Sequence, residues 1–412
     1  MSESSTLPTT IVRPGDRRYP ALSRGFNQRW VAAPEYVRLV RTPEEVRKAL
    51  ADAVREEPAD PARARITVRA GGHCYEDFGC GDDVRVILDV SPMCGVSYDG
   101  SMKAYCVEAG ATNGHVYSQL YPVSGKVLPG GSCFSVGVGG HVPAGGFGLL
   151  SRQHGLTVDY LYAVEVAVVG GAGNVSLVVA GRDDPDGPQA MTDFIAAVDG
   201  RIGPPATRMR SVMGEHFADL DVPRVLPWLT AAQALNSRGE NRCGKHKSAY
   251  LRKPFTDQQI GAMWAFLGME KCTGYVNGQA LIQVDSYGGA INRRLRETAA
   301  RQRDSIMKVQ YQVYWTKQDA REDAHIAWIR DAYRATFAAT GGVPVAGGDT
   351  TDGCYVGYPD ADLGDQRWNG SGQSWEALYY KDAYAKLQQV KRHRGPCGVF
   401  RHAQSIRPAA GE

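Results

Sequence analysis

The chain has 412 residues, 43% of them hydrophobic and 22% charged, with 47 basic side chains against 44 acidic ones and a formal charge of +3. That length and balance suit two domains with full cores and exclude a disordered protein. So small a net charge makes no electrostatic case for nucleic acid or an anionic membrane, and no apolar run reaches the length of a membrane span.

Residues 1–16 are polar and rich in Ser, Thr and Pro, without the apolar core of a secretory signal, so a cytoplasmic location is expected. Asn27-Gln28-Arg29-Trp30 leads into an alternating strand at 36–40. Thr42 then reads as an N-cap with Pro43 at the first helical position, opening a helix through Leu50. Residues 66–69 form a strand that delivers a glycine loop, Gly71-Gly72-His73, at its carboxyl end, where α/β sheets hold ligands. Strands follow at 84–90 and 104–109, then a helix from 112 to 121.

The run 128–148 holds eight glycines and one cysteine, Cys133. Such density removes Cβ atoms where backbone must lie against something flat or charged. Gly137-Val138-Gly139 lacks a following helical period, so no dinucleotide fingerprint is met. Residues 162–169 are β-rich and end on a hairpin signal at 170–174. The composition break at 181–188 marks the best domain boundary. Beyond it, 189–198 reads as a helix, 280–285 as a strand, 305–315 as a long alternating strand, and 320–340 as an amphipathic helix closed by Gly341-Gly342. The fold class is therefore α+β: one domain over 20–182, an antiparallel sheet backed by helices over 187–350, and a segment 351–412 that returns to the first domain.

Nine cysteines, an odd number without C-x-x-C spacing, are expected to be mostly free thiols, and no metal site is expected. Backbone N–H groups at Gly71-Gly72 and Gly130-Gly131 could cradle a diphosphate that a near-neutral chain cannot balance with a basic patch. His73 and Cys133, sixty positions apart, each end such a loop on a nucleophile. Taken singly, they read more readily as a satisfied core histidine and a small buried hydrophobe.

The pairing of R-x-G-G-H-x-Y at Arg69–Tyr75 with G-G-x-C-x-x-V-G-x-G-G-H at 130–141 resembles the berberine-bridge-enzyme-like flavin oxidases of the vanillyl-alcohol-oxidase superfamily. The likeness resumes at 375–384 and 399–406, and bacterial sugar and glycopeptide hexose oxidases are the most similar branch. It implies a vanillyl-alcohol-oxidase-type FAD-binding domain plus a substrate domain, with FAD bound covalently to both His73 and Cys133. Such double attachment fixes the ring and leaves one face open to a bulky substrate. Cofactor contacts are implied from Arg69, Gly71, Gly72, Cys74 and Tyr75, from Gly130, Gly131, Val136, Gly137, Gly140, His141, Gly145 and Gly148, and from Val158 and Val164. His141 is expected to contact the cofactor or hold structure rather than act as a base. Tyr379, with Tyr380 beside it, maps onto the family's catalytic tyrosine; in a strand only one of the pair could face the ring. A tyrosine ordinarily titrates near ~10, so a cation or phenol partner must assist it. Phe147 stands where relatives carry that partner, and Gln283, Tyr311 and Tyr314 are candidates to line the substrate pocket, with core packing as the other reading.

The chain also departs from the family. No G-G-G-N-F-G segment follows 164–169, and 176–180 runs almost directly to 189–194, as after an internal deletion. Gly357 and Ala383 replace the asparagines of Y-x-N-Y-P-D and Y-K-x-N-Y, and Gly395-Pro396-Cys397-Gly398 stands for D-P-x-N. The expected activity is oxidation of an alcohol of a sugar or glycosylated metabolite, with hydride passing to flavin N5 and oxygen leaving as peroxide. A vestigial flavoprotein and a dehydrogenase using another acceptor stay open, as does the oligomeric state.

Overall fold

The computed structural model describes residues 10–60, 64–170, 175–181, 228–234, 236, 241–268, 275–293, 298–395 and 397–409. Short runs of β-branched residues build its first sheet. Strands β1 (Thr10–Val12), β2 (Tyr36–Leu39), β3 (Arg65–Arg69) and β4 (Val84–Asp89) lie in the order β1-β2-β4-β3. β1 is antiparallel to β2, whereas β2, β4 and β3 are parallel. β4 is buried along its whole length, as the centre of a parallel sheet must be. Helix α1 (Pro43–Arg55) covers the sheet with Ala49, Leu50 and Ala53, and Thr42 Oγ1 accepts the Glu45 N–H at 3.1 Å, which is the expected cap.

Two hairpins follow, β5 (Val96–Asp99) with β6 (Ala104–Val107) and β7 (Ala163–Val169) with β8 (Val175–Gly181). Between them, helix α2 (Asn113–Ser124) is capped by Thr112 and stopped by Gly125 at φ 67°. Its Tyr117 hydroxyl donates to Gly131 O at 2.8 Å, fixing the second glycine run from below.

The second sheet is antiparallel, with β9 (Cys243–Leu251), β10 (Ala280–Ser286) and β11 (Met307–Trp315) in the order β10-β11-β9. Strand alternation gives it two faces. Val309, Tyr311, Val313 and Trp315 join Ala249 and Leu251 in a core with Trp328, Ile329 and Tyr333 of helix α4 (Glu322–Thr336), beside which helix α3 (Asp257–Leu267) packs. Lys308, Gln310, Gln312 and Tyr314, paired with Tyr250, Ser248, His246 and Gly244, form the other face. The strand expected at 280–285 is present one residue longer, and the strand at 305–315 and the helix at 320–340 are present with trimmed ends. β9 was not expected: Lys245 and Lys247 interrupt its apolar pattern, yet both are buried. The helix expected at 189–198 and the boundary expected at 181–188, apart from Gly181 at the end of β8, lie outside the described residues.

The C-terminal segment adds helices α5 (Trp375–Tyr380) and α6 (Ala383–Arg394). Cys354, Leu363, Trp375 and Leu378 bury in the core of the second sheet, and the chain rejoins the core of the first at Val399 and Phe400. Among the described residues no helix is long and apolar enough to cross a membrane, no cysteine is in a disulfide, and no group of side chains could hold a metal ion.

A buried ion network joins the three parts. Lys245 Nζ meets Glu76 at 2.5 Å and Asp360 at 2.7 Å, Lys247 Nζ meets Asp360 and Asp362 at 2.8 Å, and Arg330 meets Asp362 at 2.7 Å. Three cations thus face three carboxylates. Burial would raise the Asp362 carboxyl, but Lys247, Arg330 and Lys245 outweigh it and hold it well below the usual range. Its folded form therefore releases a proton more readily than its unfolded form, so this contribution to stability is present above about pH 4 and lost as the pH falls. Replacing Asp360 by Asn leaves Lys245 and Lys247 short of charge in a dry site. Urea unfolding at neutral pH should show a loss of about 3–5 kcal/mol.

Candidate active site

The glycine loops meet each other first. A Cβ on Gly71 would overlap the backbone of Gly137 and one on Gly137 that of Gly71, so the two runs pack backbone on backbone. Gly148 is closed against Gly130 in the same way, and Gly130 and Gly131 lie under His141, whose Nε2 accepts the Gly131 N–H at 2.9 Å. Burial and the Lys308 charge lower the His141 imidazole to about 4, so it serves as a neutral acceptor. Gly72 and Gly145 take φ 68° and 117°, which favour glycine. Gly140 is exposed with open space over its Cα, and Val136 is half-buried.

This packing brings the two expected attachment residues together. His73 Nε2 lies 2.8 Å from Ser135 Oγ, and Cys133 Sγ lies 3.6 Å from that same oxygen. Imidazole and sulfur thus stand within two hydrogen-bond lengths of each other. Phe26 stacks on His73 at 4.6 Å, and burial lowers the His73 imidazole to about 4, leaving a neutral nitrogen. Ser135 was not singled out in the sequence, although it lies two positions from Cys133.

Other expected contacts are placed differently. Arg69 pairs with Asp89, its register partner across β3 and β4, and donates to the carbonyls of Leu22 and Arg24, so it ties the loop down rather than offering charge to a phosphate. Burial pushes the Cys74 thiol up to about 12, which suits packing. Tyr75 stacks on His246 at 3.6 Å and turns toward the second sheet. Val158 packs with Phe147, and Val164 lies exposed on β7.

The second sheet's open face completes the site. A chain of polar contacts crosses it: Tyr314 O–H donates to Gln312 at 2.8 Å, Gln312 to Gln283 at 3.1 Å, and Gln283 to Asp285 at 2.8 Å. Asp285 then pairs with Lys308 at 2.9 Å, and Lys308 Nζ donates to the Tyr358 hydroxyl at 3.1 Å. The Lys308 ammonium, 1% exposed, also lies over the rings of Phe147 at 4.4 Å and Tyr358 at 4.6 Å. Burial raises the phenols of Tyr75, Tyr314 and Tyr358.

Three expectations are corrected. Tyr379 is on helix α5, not a strand; with Trp375 and Leu378 it fills that helix's buried face, and its hydroxyl accepts the Asp360 N–H at 2.9 Å within the helix-side core. Tyr380 packs on Tyr384, away from the polar chain. Tyr311 points into the core against Tyr333, because odd and even positions of β11 take opposite faces. Phe147, Gln283 and Tyr314 do lie at the site. Lys308, Tyr358, Tyr355 and His246 were missed, though the even positions of the 305–315 strand were the signal for Lys308.

A flavin fits these residues on an observation independent of any motif. Both ring nitrogens of His246 and the hydroxyl of Tyr355 are buried without a hydrogen-bond partner among the described residues. Such orphaned groups cost stability unless a ligand meets them.

Comparison with known proteins agrees. A family model described as an FAD binding domain matches residues 34–175, and one described as berberine and berberine like matches 354–407. The aclacinomycin-N/aclacinomycin-A oxidase of Streptomyces galilaeus is 36% identical, with 95% of this chain and 89% of that protein covered. That alignment spans 497 positions against 412 residues here, so the relative has residues without a counterpart in this chain. Hexose oxidase of Chondrus crispus is 28% identical over 95% of the chain and 93% of that protein. Among solved structures, a glycopeptide hexose oxidase in complex with teicoplanin superposes with a TM-score of 0.82 at 31% identity, covering 98% of this chain and 99% of that one.

Because burial depresses His73 below its ordinary value, the unfolded chain takes up the proton first, and stability falls as the pH drops from about 6.5 toward about 4. Histidine ring resonances followed by NMR should show His73 unchanged between about pH 5.5 and about 8. A midpoint near 6.5 would refute the buried neutral imidazole.

Proposed function

The chain belongs to the berberine-bridge-enzyme-like FAD-dependent oxidoreductases, and on that footing we propose that it oxidises an alcohol of a sugar or glycosylated secondary metabolite. The observation that carries the reading is the convergence of His73 and Cys133 on Ser135, which suits two covalent links to one flavin. The open sheet face supports the substrate class: aromatic rings of Tyr75, Tyr314 and Tyr358 alternate with the amides of Gln310, Gln312 and Gln283, a surface matched to a hydroxyl-rich ring. The aclacinomycin and glycopeptide oxidases point the same way by their names.

When bound, the flavin supplies the acceptor for the hydride of a carbinol carbon and returns the electrons to oxygen as peroxide. Removing the hydroxyl proton falls to the chain. Tyr358 is the phenol assigned to it, since the Lys308 ammonium donates to its oxygen, a contact that favours the phenolate, although burial and the Asp285 carboxylate raise the phenol. Asp285 holds Lys308 in position. Gly130, Gly131 and Gly140 present backbone to the cofactor, and His141 keeps that loop closed.

A second reading, an inactive flavoprotein, draws on the relative's additional residues. Acid precipitation of purified protein separates the readings in part: the pellet should stay yellow, turn colourless only when His73→Ala and Cys133→Ala are combined, and native protein should release peroxide with an oligosaccharide or glycoside. A colourless wild-type pellet would end the double-linkage proposal, and no peroxide in air but reduction of an artificial dye would favour another acceptor.

Tyr358→Phe should lower kcat by roughly 10²- to 10⁴-fold. Lys308→Met removes the cation, so the rising limb of the rate against pH should move to higher pH. An unmoved limb would sever Lys308 from the proton transfer.

A further inference from the structure

Gly357 lies between Tyr355 and Tyr358, and its backbone is not in the left-handed region. Conformation alone would accept any residue there. The obstacle is one ring: a Cβ at Gly357 would stand 2.5 Å from Cζ and 2.7 Å from the hydroxyl oxygen of Tyr355. The Tyr355 side chain has therefore folded back over its own loop into space that a side chain at 357 would fill.

That placement gives the phenol definite neighbours. Its ring carbon Cε2 lies 3.9 Å from the position a Cβ on Gly145 would take, so the ring rests against the second glycine run. Its ring lies 5.5 Å from Lys308 Nζ and 4.8 Å from the Tyr358 ring. The buried hydroxyl closes no hydrogen bond within the described residues, so its proton has no acceptor among them. A phenol so placed can donate to an oxygen of a bound ligand.

We propose that Gly357 is a positioning residue: its missing side chain sets the Tyr355 phenol against the glycine loop, where the hydroxyl donates to a substrate oxygen beside the one that Tyr358 deprotonates. The ligand oxygen belongs to a polyol ring, which rests on the function proposed above.

Two measurements on the full chain with its flavin test this separately. The first reads the contact alone, by urea unfolding of Gly357→Ala in two backgrounds. In the wild-type background the unfolding constant should rise about tenfold or more; with Tyr355→Ala, or Tyr355→Leu should that variant fail to fold, it should change by less than about twofold. Equal losses in both backgrounds would overturn the proposal. The second measures KM and kcat for whichever oligosaccharide the wild type oxidises. Tyr355→Phe and Gly357→Ala should each raise KM about tenfold, and the double variant should be no worse than the worse single one. Unchanged KM in Tyr355→Phe would overturn the donor role. Should the wild type oxidise no sugar, the proposed function fails, while the unfolding comparison still judges the contact.

Discussion

Lys245 and Lys247 are buried in the middle of a β-strand, and the rest of the site depends on how they are neutralised. Glu76 comes from the loop that carries His73, Asp360 and Asp362 from the segment that carries Tyr358, and Arg330 from the helix behind the sheet. Because unpaired charges in a dry interior are intolerable, the three segments cannot separate without exposing or stranding one. His246 is held between the two lysines on the opposite face of β9, where it meets Tyr75. Alignment of the first glycine loop with the polar face of the second sheet is thus an electrostatic requirement, not a by-product of apolar packing.

The two faces of β11 divide labour in a way that explains which chemistry is available. Odd positions pack on helix α4 and add stability; even positions carry ammonium, amides and phenol on the opposite face. A polar row of this kind has its hydrogen bonds satisfied along the sheet, from Tyr314 to Lys308, so side chains are fixed before a ligand arrives. Preorganised donors of this sort lower the reorganisation needed during reaction.

Local pattern made much of this legible. Thr42 and Pro43 announced helix α1, β2, β3 and β4 of the first sheet followed their β-branched runs while β1 went unread in a polar arm, and the two glycine loops do meet, with His73 and Cys133 both beside Ser135. The failures have physical causes. β9 was hidden because its buried lysines read as surface, and they are tolerated only through partners more than a hundred residues away. Trp375–Tyr380 lacks a long period, so its helix was taken for a strand and Tyr379 for an active-site group. Gly71, read as part of a diphosphate cradle, also packs its backbone against Gly137, a contact no single stretch reveals.

Asn27 bridges segments that translation makes far apart. Its amide donates to Tyr75 O and, at 2.9 Å, to Gly244 O, and its own oxygen accepts the Gly244 N–H at 3.1 Å. A ribosome-bound chain ending before β9 lacks that clasp, and one ending before residue 360 lacks the carboxylate that seats Lys245 and Lys247. The imidazole-bearing loop, although among the first parts synthesised, gains its final surroundings only when most of the polypeptide has emerged, which delays assembly of the pigment-binding cleft until near the end of biogenesis.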